Sequence, residues 1–142
     1  MDQAMLPVFD KTVHITNVWL KNVMDHMGEA DQHHAYTALR ATLQALRDRL
    51  PVNEVAHLGA QLPMLVRGFY YEGWHPAGTP TKERAKDEFV AHVREAFRGN
   101  VQVDAERAVR AVFGVLAEHV TAGEIQDVKR ALPPEIRGLW PV

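Results

Sequence analysis

The chain has 142 residues, enough for one domain of ordinary size, and its composition, 46% hydrophobic and 24% charged, is that of a globular protein. A formal net charge of −2 argues against a protein that binds nucleic-acid phosphates through a basic surface. The chain contains no cysteine and no serine, which excludes disulfides, thiolate metal sites and Ser or Cys nucleophiles. No apolar run approaches the length of a membrane span and the start does not resemble a secretory leader, so we expect a cytoplasmic protein that does not bind membranes.

The first predicted helix carries one apolar stripe and ends at a glycine. Ile15, Trp19, Val23 and Met27 recur at four-residue steps, which places them on one helical face. Gly28 follows directly and supplies a C-terminal stop.

Two further helices are predicted in the first half of the chain. Asp31 is the N-cap candidate of the second helix, and Pro51 closes it. The apolar face of this helix consists of leucines at spacings of four, three and four: Leu39, Leu43, Leu46 and Leu50. A third, shorter helix contains Val55, Leu58 and Leu62, and Pro63 breaks it before a final turn.

The second half of the chain repeats the first at a constant offset. Positions 35–70 align with positions 105–140 without a gap, and ten of these 36 positions are identical. The identical pairs are Ala35/Ala105, Ala38/Ala108, Arg40/Arg110, Ala41/Ala111, Leu46/Leu116, Glu54/Glu124, Leu62/Leu132, Pro63/Pro133, Arg67/Arg137 and Gly68/Gly138. In the second copy Thr121 and Glu124 have the spacing of a capping box.

This pattern predicts an all-α protein made of two tandem copies of a three-helix unit. Side chains that face a core must keep their helical phase, so an ungapped match indicates one supersecondary unit used twice. Half of a chain of this length is close to the lower size limit for an independent core. We therefore expect one compact bundle of six main helices: a single domain, residues 1–142, composed of unit 1 (12–70), an aromatic connector (69–81) and unit 2 (82–140).

The connector concentrates aromatic residues, and it has two interpretations. Tyr70, Tyr71, Trp74 and His75 fall within six positions. They either form an exposed surface for a ligand or a partner, or they cover the open end of the first unit with their own rings.

Several strings resemble the prokaryotic family known as domain of unknown function 2267. They are Ala35–Arg40, Leu46–Pro51, Ala60–Pro63, Arg67-Gly68, Gly73–Pro76, Gly123-Glu124, Leu132-Pro133 and Leu139-Trp140. The resemblance extends from about Thr12 to Trp140. It implies an all-helical bacterial protein, and it supplies no catalytic residues because the family has no assigned activity.

Glu54 and His57 have the Glu-x-x-His spacing of di-iron helical bundles. Such sites need two Glu-x-x-His pairs and two further glutamates, whereas the second copy offers only Glu124 and Asp127 at the matching positions. Both glutamates lie in the first turn of a predicted helix, where capping explains them. No metal site and no cofactor are predicted, and Glu54 and His57 remain the only weak metal candidates.

Arg40 and Arg110 are charges that both copies share. One interpretation is a pair of structural ion bridges, Arg40 with Glu54 and Arg110 with Glu124. The other is a symmetric anion pocket at the junction of the two halves.

Three functional hypotheses follow, and none assigns catalytic residues. The first is a non-enzymatic interaction or scaffold module that binds a protein partner or itself through residues 70–74. The second is a small-molecule or anion-binding protein that uses Arg40, Arg110, Tyr70 and Trp74. The third is a metal-dependent enzyme built on Glu54 and His57.

Overall fold

The computed structural model describes residues 5–100 and 102–142, and over these ranges the chain forms helices and no strand. The elements are α1 (Pro7–Met27), α2 (Gln32–Arg49), α3 (Val52–Gly59), α4 (Met64–Tyr71), a 3-10 turn (Pro76–Gly78), α5 (Lys86–Ala96), α6 (Ala105–His119), α7 (Ala122–Arg130) and α8 (Pro134–Arg137). The predicted all-α class is confirmed. No helix within the described ranges is both long enough and apolar enough to cross a membrane.

The predicted start and stop signals act where the sequence places them. Gly28 ends α1 in the left-handed conformation, with φ at +72°, and its amide donates to the carbonyl of Met24. The Asp31 carboxylate accepts hydrogen bonds from the amides of His33 and His34 and so caps α2. Helix α2 ends at Arg49, shortly before Pro51.

Four helices form the body of the molecule. Helices α2 and α6 pack against each other, and α1 and α5 each pack against both of them. The largest core side chains include Leu39, Leu43 and Phe113, none of which has accessible surface. Because α1 packs on α6 and α2 packs on α5, both halves of the chain contribute to one core, and the predicted compact bundle is confirmed.

The number of helices differs from the expected six. Helix α3 ends at Gly59 and leaves Leu62 outside it, and the predicted final turn is a two-turn helix, α4. Pro63 breaks the first helix and begins the second, because it lacks an N–H but its carbonyl accepts from the amide of Arg67. The first aromatic residues of the predicted connector are therefore helical.

Candidate functional site

The aromatic residues of the connector are mostly covered. Tyr70 has no accessible surface, and its hydroxyl donates to the carbonyl of Val55 at 2.8 Å. Tyr71 is half-buried edge-on to Tyr70, with ring centroids 4.9 Å apart, and the half-buried Trp74 lies 5.6 Å from Tyr71. Of the four predicted contact residues in the connector, only His75 is exposed. Helix α4 continues through Tyr71 and turns Tyr70 into the core, so Tyr70 offers a ligand or partner no accessible surface in this structure.

Arg40 and Arg110 each have a carboxylate partner, but not the predicted one. Arg40 donates to Glu72, and Nε of Arg110 donates to Glu106 at 3.0 Å. The predicted pairs with Glu54 and Glu124 are wrong. Those glutamates lie on α3 and α7, which pack on each other, whereas the two arginines lie on α2 and α6.

The two arginines also line different cavities. Arg40 lines a cavity of about 360 Å³ between α2 and α5, in which three arginines are balanced by three carboxylates: Arg40, Arg47, Arg98, Asp48, Glu83 and Glu95. Arg110 lines a second cavity, of about 370 Å³, beside the C-terminal residues. Since the two arginines do not converge and each has an acidic partner, their arrangement does not favour a shared anion pocket.

Arg67 and Arg137 have a structural role that is the same in both halves. Arg67 donates to the carbonyls of Gly59 and Leu62, at 2.9 and 2.7 Å. Arg137 donates to the corresponding carbonyls of the second half, Lys129 and Leu132, both at 2.9 Å. Each guanidinium satisfies carbonyls at the C-terminal end of the preceding helix.

Helices α3 and α7 pack on each other, and a pair of hydrogen bonds fixes the contact. Gln61, just after α3, donates through Nε2 to Oγ1 of Thr121 at 3.1 Å and accepts from the Thr121 amide at 3.0 Å. Thr121 Oγ1 also accepts from the amide of Glu124, so the predicted cap of α7 is present. The return bond of the predicted capping box does not form, because Gln61 already occupies the Thr121 amide.

The side chain of Glu124 turns instead toward the first half of the chain. Carboxylate oxygens of Glu54 and Glu124 and a ring nitrogen of His57 lie within 4.8 Å of one another. Glu124 is only 7% exposed, Glu54 is half-buried and His57 is exposed. Capping therefore does not explain the two glutamates, and the sequence offered no signal that α3 would pack on α7.

The cluster has an unfavourable electrostatic environment for two ionised carboxylates. Burial, followed by the adjacent Glu54 and by Asp127, raises the pKa of Glu124 from 4.5 to about 8. Oε2 of Glu54 and Oε2 of Glu124 are both buried and accept no hydrogen bond from the described residues. At neutral pH the facing carboxylates therefore hold a proton between them, and an added cation would meet concentrated negative potential.

A second feature that sequence reasoning missed is an apolar surface on the first turns of α1. Its members are large apolar side chains, each between 39% and 60% exposed: Met5, Leu6, Phe9, Val13, Met64 and Leu65. The amide of Leu65 donates to Oγ1 of Thr12 at 3.3 Å, which brings the start of α4 beside α1. We call these six residues the α1 apolar surface.

The α1 apolar surface extends the buried stripe of the same helix. The core-facing residues of α1 begin at Thr16 and continue through Leu20 and Met27. Upstream, Phe9 and Val13 continue that face at spacings of four and three, but they are 51% and 39% exposed. The sequence signal was present, since the helical apolar pattern extends upstream of Ile15.

Comparison with known proteins identifies one family. The model of the family described as "Uncharacterized conserved protein (DUF2267)" matches residues 16–139. No curated protein matches the chain.

Proposed function

Because this chain belongs to the DUF2267 family of uncharacterised conserved proteins, we propose its function from its own surfaces: it is a non-enzymatic interaction module that binds a second copy of itself through the α1 apolar surface. The observation that carries the proposal is the exposure of Phe9, at 51%, on the same helical face that is buried further along the helix. In a monomer the apolar side chains at this end of the stripe would stay in contact with water and would contribute nothing to stability.

The size of the α1 apolar surface supports an interface. Its six partly exposed side chains together present on the order of 500 Å² of accessible surface, at the upper end of what monomers expose in one patch. A stable interface covers about 800 Å² on each partner, so this surface would form most of one. Polar residues beside the stripe, such as Asp10 and Lys11, would form the rim.

A second copy is the occupant that the geometry favours. The surface belongs mainly to one amphipathic helix, whose C-terminal half already packs against other helices of the bundle. A twofold axis through the surface would bring the same apolar residues of two copies face to face, so that one symmetric contact covers both. A closed dimer of this kind leaves the stripe exposed on neither copy.

We also propose that the chain consists of two tandem copies of one helical unit. Helices α2 and α6 end at Arg49 and His119, and α3 and α7 begin at Val52 and Ala122; both pairs have the offset of the sequence repeat. The guanidinium contacts of Arg67 and Arg137 have the same offset. These coincidences support two tandem copies of one unit, although each contains a fourth helix in addition to the three expected.

For the boundaries of the units we propose those expected from the sequence. We assign unit 1 to residues 12–70, the connector to 69–81 and unit 2 to 82–140. Helix α1 is 21 residues long and α5 only 11, and the additional turns of α1 lie at its N-terminal end. These are the turns that carry the α1 apolar surface, so the proposed interface has no counterpart on α5.

A matched pair of variants tests the proposed dimer. Val13 and Val18 are both valines of α1 with 39% exposure, but Val18 lies about 140° around the helix from Val13 and outside the apolar surface. Sedimentation velocity from low to high micromolar concentration should show a dimer for the wild type and for Val18→Glu, and a monomer for Val13→Glu. A monomeric wild type, or equal association of both variants, would refute self-association.

A further inference from the structure

The cluster of Glu54, His57 and Glu124 has the donor set of a transition-metal site. Two carboxylates and one imidazole supply three ligands from α3 and α7, and their donor atoms lie within 4.8 Å of one another. Ligand atoms bound at about 2.1 Å in a tetrahedral zinc site lie about 3.4 Å apart. Small side-chain rotations would therefore bring all three donors onto one ion, without a movement of either helix.

A second, independent observation points to a ligand at this position. Glu124 is more than nine-tenths buried, and its Oε2, like Oε2 of Glu54, accepts no hydrogen bond from the described part of the chain. A buried carboxylate oxygen without a partner is costly, so these two oxygens need either a proton that they share or a bound cation. Helix capping does not satisfy it, because the amide that a capping box would use, that of Thr121, donates to Gln61.

We propose that Glu54, His57 and Glu124 bind a divalent transition-metal ion of the zinc class, one ion per chain. The imidazole favours zinc, iron or nickel over calcium and magnesium, which prefer oxygen ligands alone. His57 is exposed, so the site has an opening to solvent through which the ion enters. Three protein ligands leave a fourth tetrahedral position for water.

Metal binding here would join the two halves of the chain. Glu54 and His57 lie on α3, whereas Glu124 lies on α7. An ion held by all three would act as a crosslink between helices whose contact already includes the Gln61–Thr121 hydrogen bonds. This proposal does not depend on self-association, because none of the three ligands belongs to the α1 apolar surface.

Calorimetric titration of tag-free, chelator-treated protein with Zn²⁺ tests the site. We expect one ion per chain, and an affinity at least about tenfold weaker in His57→Ala, Glu54→Gln and Glu124→Gln, since each removes one of three ligands. His92→Ala is the matched control, because His92 contacts a single carboxylate, Glu83, at 2.9 Å and should bind zinc as the wild type does. Calcium should not compete.

Cobalt supplies a readout that does not depend on stability. Co²⁺ in a four-coordinate site absorbs visible light strongly, and we expect this absorption in the wild type and in His92→Ala, but not in Glu124→Gln. The near-isosteric Gln keeps the side-chain volume, and circular dichroism would verify that each variant is folded. Absence of zinc binding, or equal binding by the wild type and by Glu54→Gln and Glu124→Gln, would overturn the proposal, since the ion would then be held by surface histidines.

Discussion

The facing carboxylates of Glu54 and Glu124 make the stability of the fold depend on pH in an uncommon direction. Burial and the neighbouring Glu54 and Asp127 raise the pKa of Glu124 to about 8, whereas a glutamate in an unfolded chain titrates near its ordinary value of 4.5. Between these two pH values the folded protein retains a proton that the unfolded chain has released. An acid with a raised pKa therefore stabilises the fold fully below about pH 4.5, and this contribution is lost as the pH rises to about 8.

The substitution Glu124→Gln isolates this effect. At about 1.4 kcal/mol per pKa unit, the shift sets an upper limit of about 5 kcal/mol on the contribution of Glu124. We expect a measured value of about 2–3 kcal/mol, because the coupled carboxylates share one proton and His57 leaves one side of the cluster open to solvent. Since the amide mimics the protonated carboxyl, Glu124→Gln should equal the wild type in stability near pH 5 or below, and exceed it by this amount near pH 9.

Urea denaturation followed by circular dichroism, with chelator present, measures this difference. Glu95→Gln is the control, because the side chain of Glu95 is 68% exposed and the substitution should change stability little at any pH. The reasoning would be refuted if Glu124→Gln were less stable than the wild type at alkaline pH, or if the two proteins kept a constant difference at every pH.

Two further predictions concern packing and capping. A Cβ at Gly59 would lie 2.3 Å from the hydroxyl of Tyr71, whereas a Cβ at Gly68 would meet nothing within 4 Å. Chemical denaturation should therefore show that Gly59→Ala lowers the free energy of unfolding by about 1–3 kcal/mol. Gly68→Ala, in the interior of α4, should raise it by about 0.4–1 kcal/mol. Equal effects of the two substitutions would contradict the packing described. Arg67→Met and Arg137→Met should each lower the free energy of unfolding by about 1–3 kcal/mol, since each removes two hydrogen bonds from a charged donor and leaves one carbonyl, that of Leu62 or Leu132, without a donor; a neutral result for both would contradict the capping role.

Features that depend on local chemistry could be predicted from the sequence. Gly28, Asp31 and Pro51 delimit the first two helices as expected, because each acts on backbone groups within a few residues. The apolar stripes likewise identified most of the buried side chains. The exception is the extent of α4, because the chain after Pro63 carries too few residues to show a helical period.

Features that depend on which helices meet could not be predicted. Glu54 and Glu124 lie in different halves of the chain, and only the packing of α3 on α7 brings them together. The partner of Arg40 could not be predicted for the same reason. Glu72 follows directly after α4, so the end of that helix places its carboxylate beside Arg40. The burial of Tyr70 depends on both kinds of information, since its position on the buried face of α4 follows from the helical period only after the extent of α4 is known.

Covalent trapping reports on the proposed contact between two copies at the first turns of α1. The chain has no cysteine, so a single introduced cysteine reports contact between copies without further change. Phe9 lies in the middle of the α1 apolar surface, between Leu6 and Val13, and Phe9→Cys should oxidise to a disulfide-linked dimer at low protein concentration. Val18→Cys lies outside that surface, so it should associate without forming the disulfide. Equal crosslinking of both variants, or faster crosslinking of Val18→Cys, would contradict an interface at the first turns of α1.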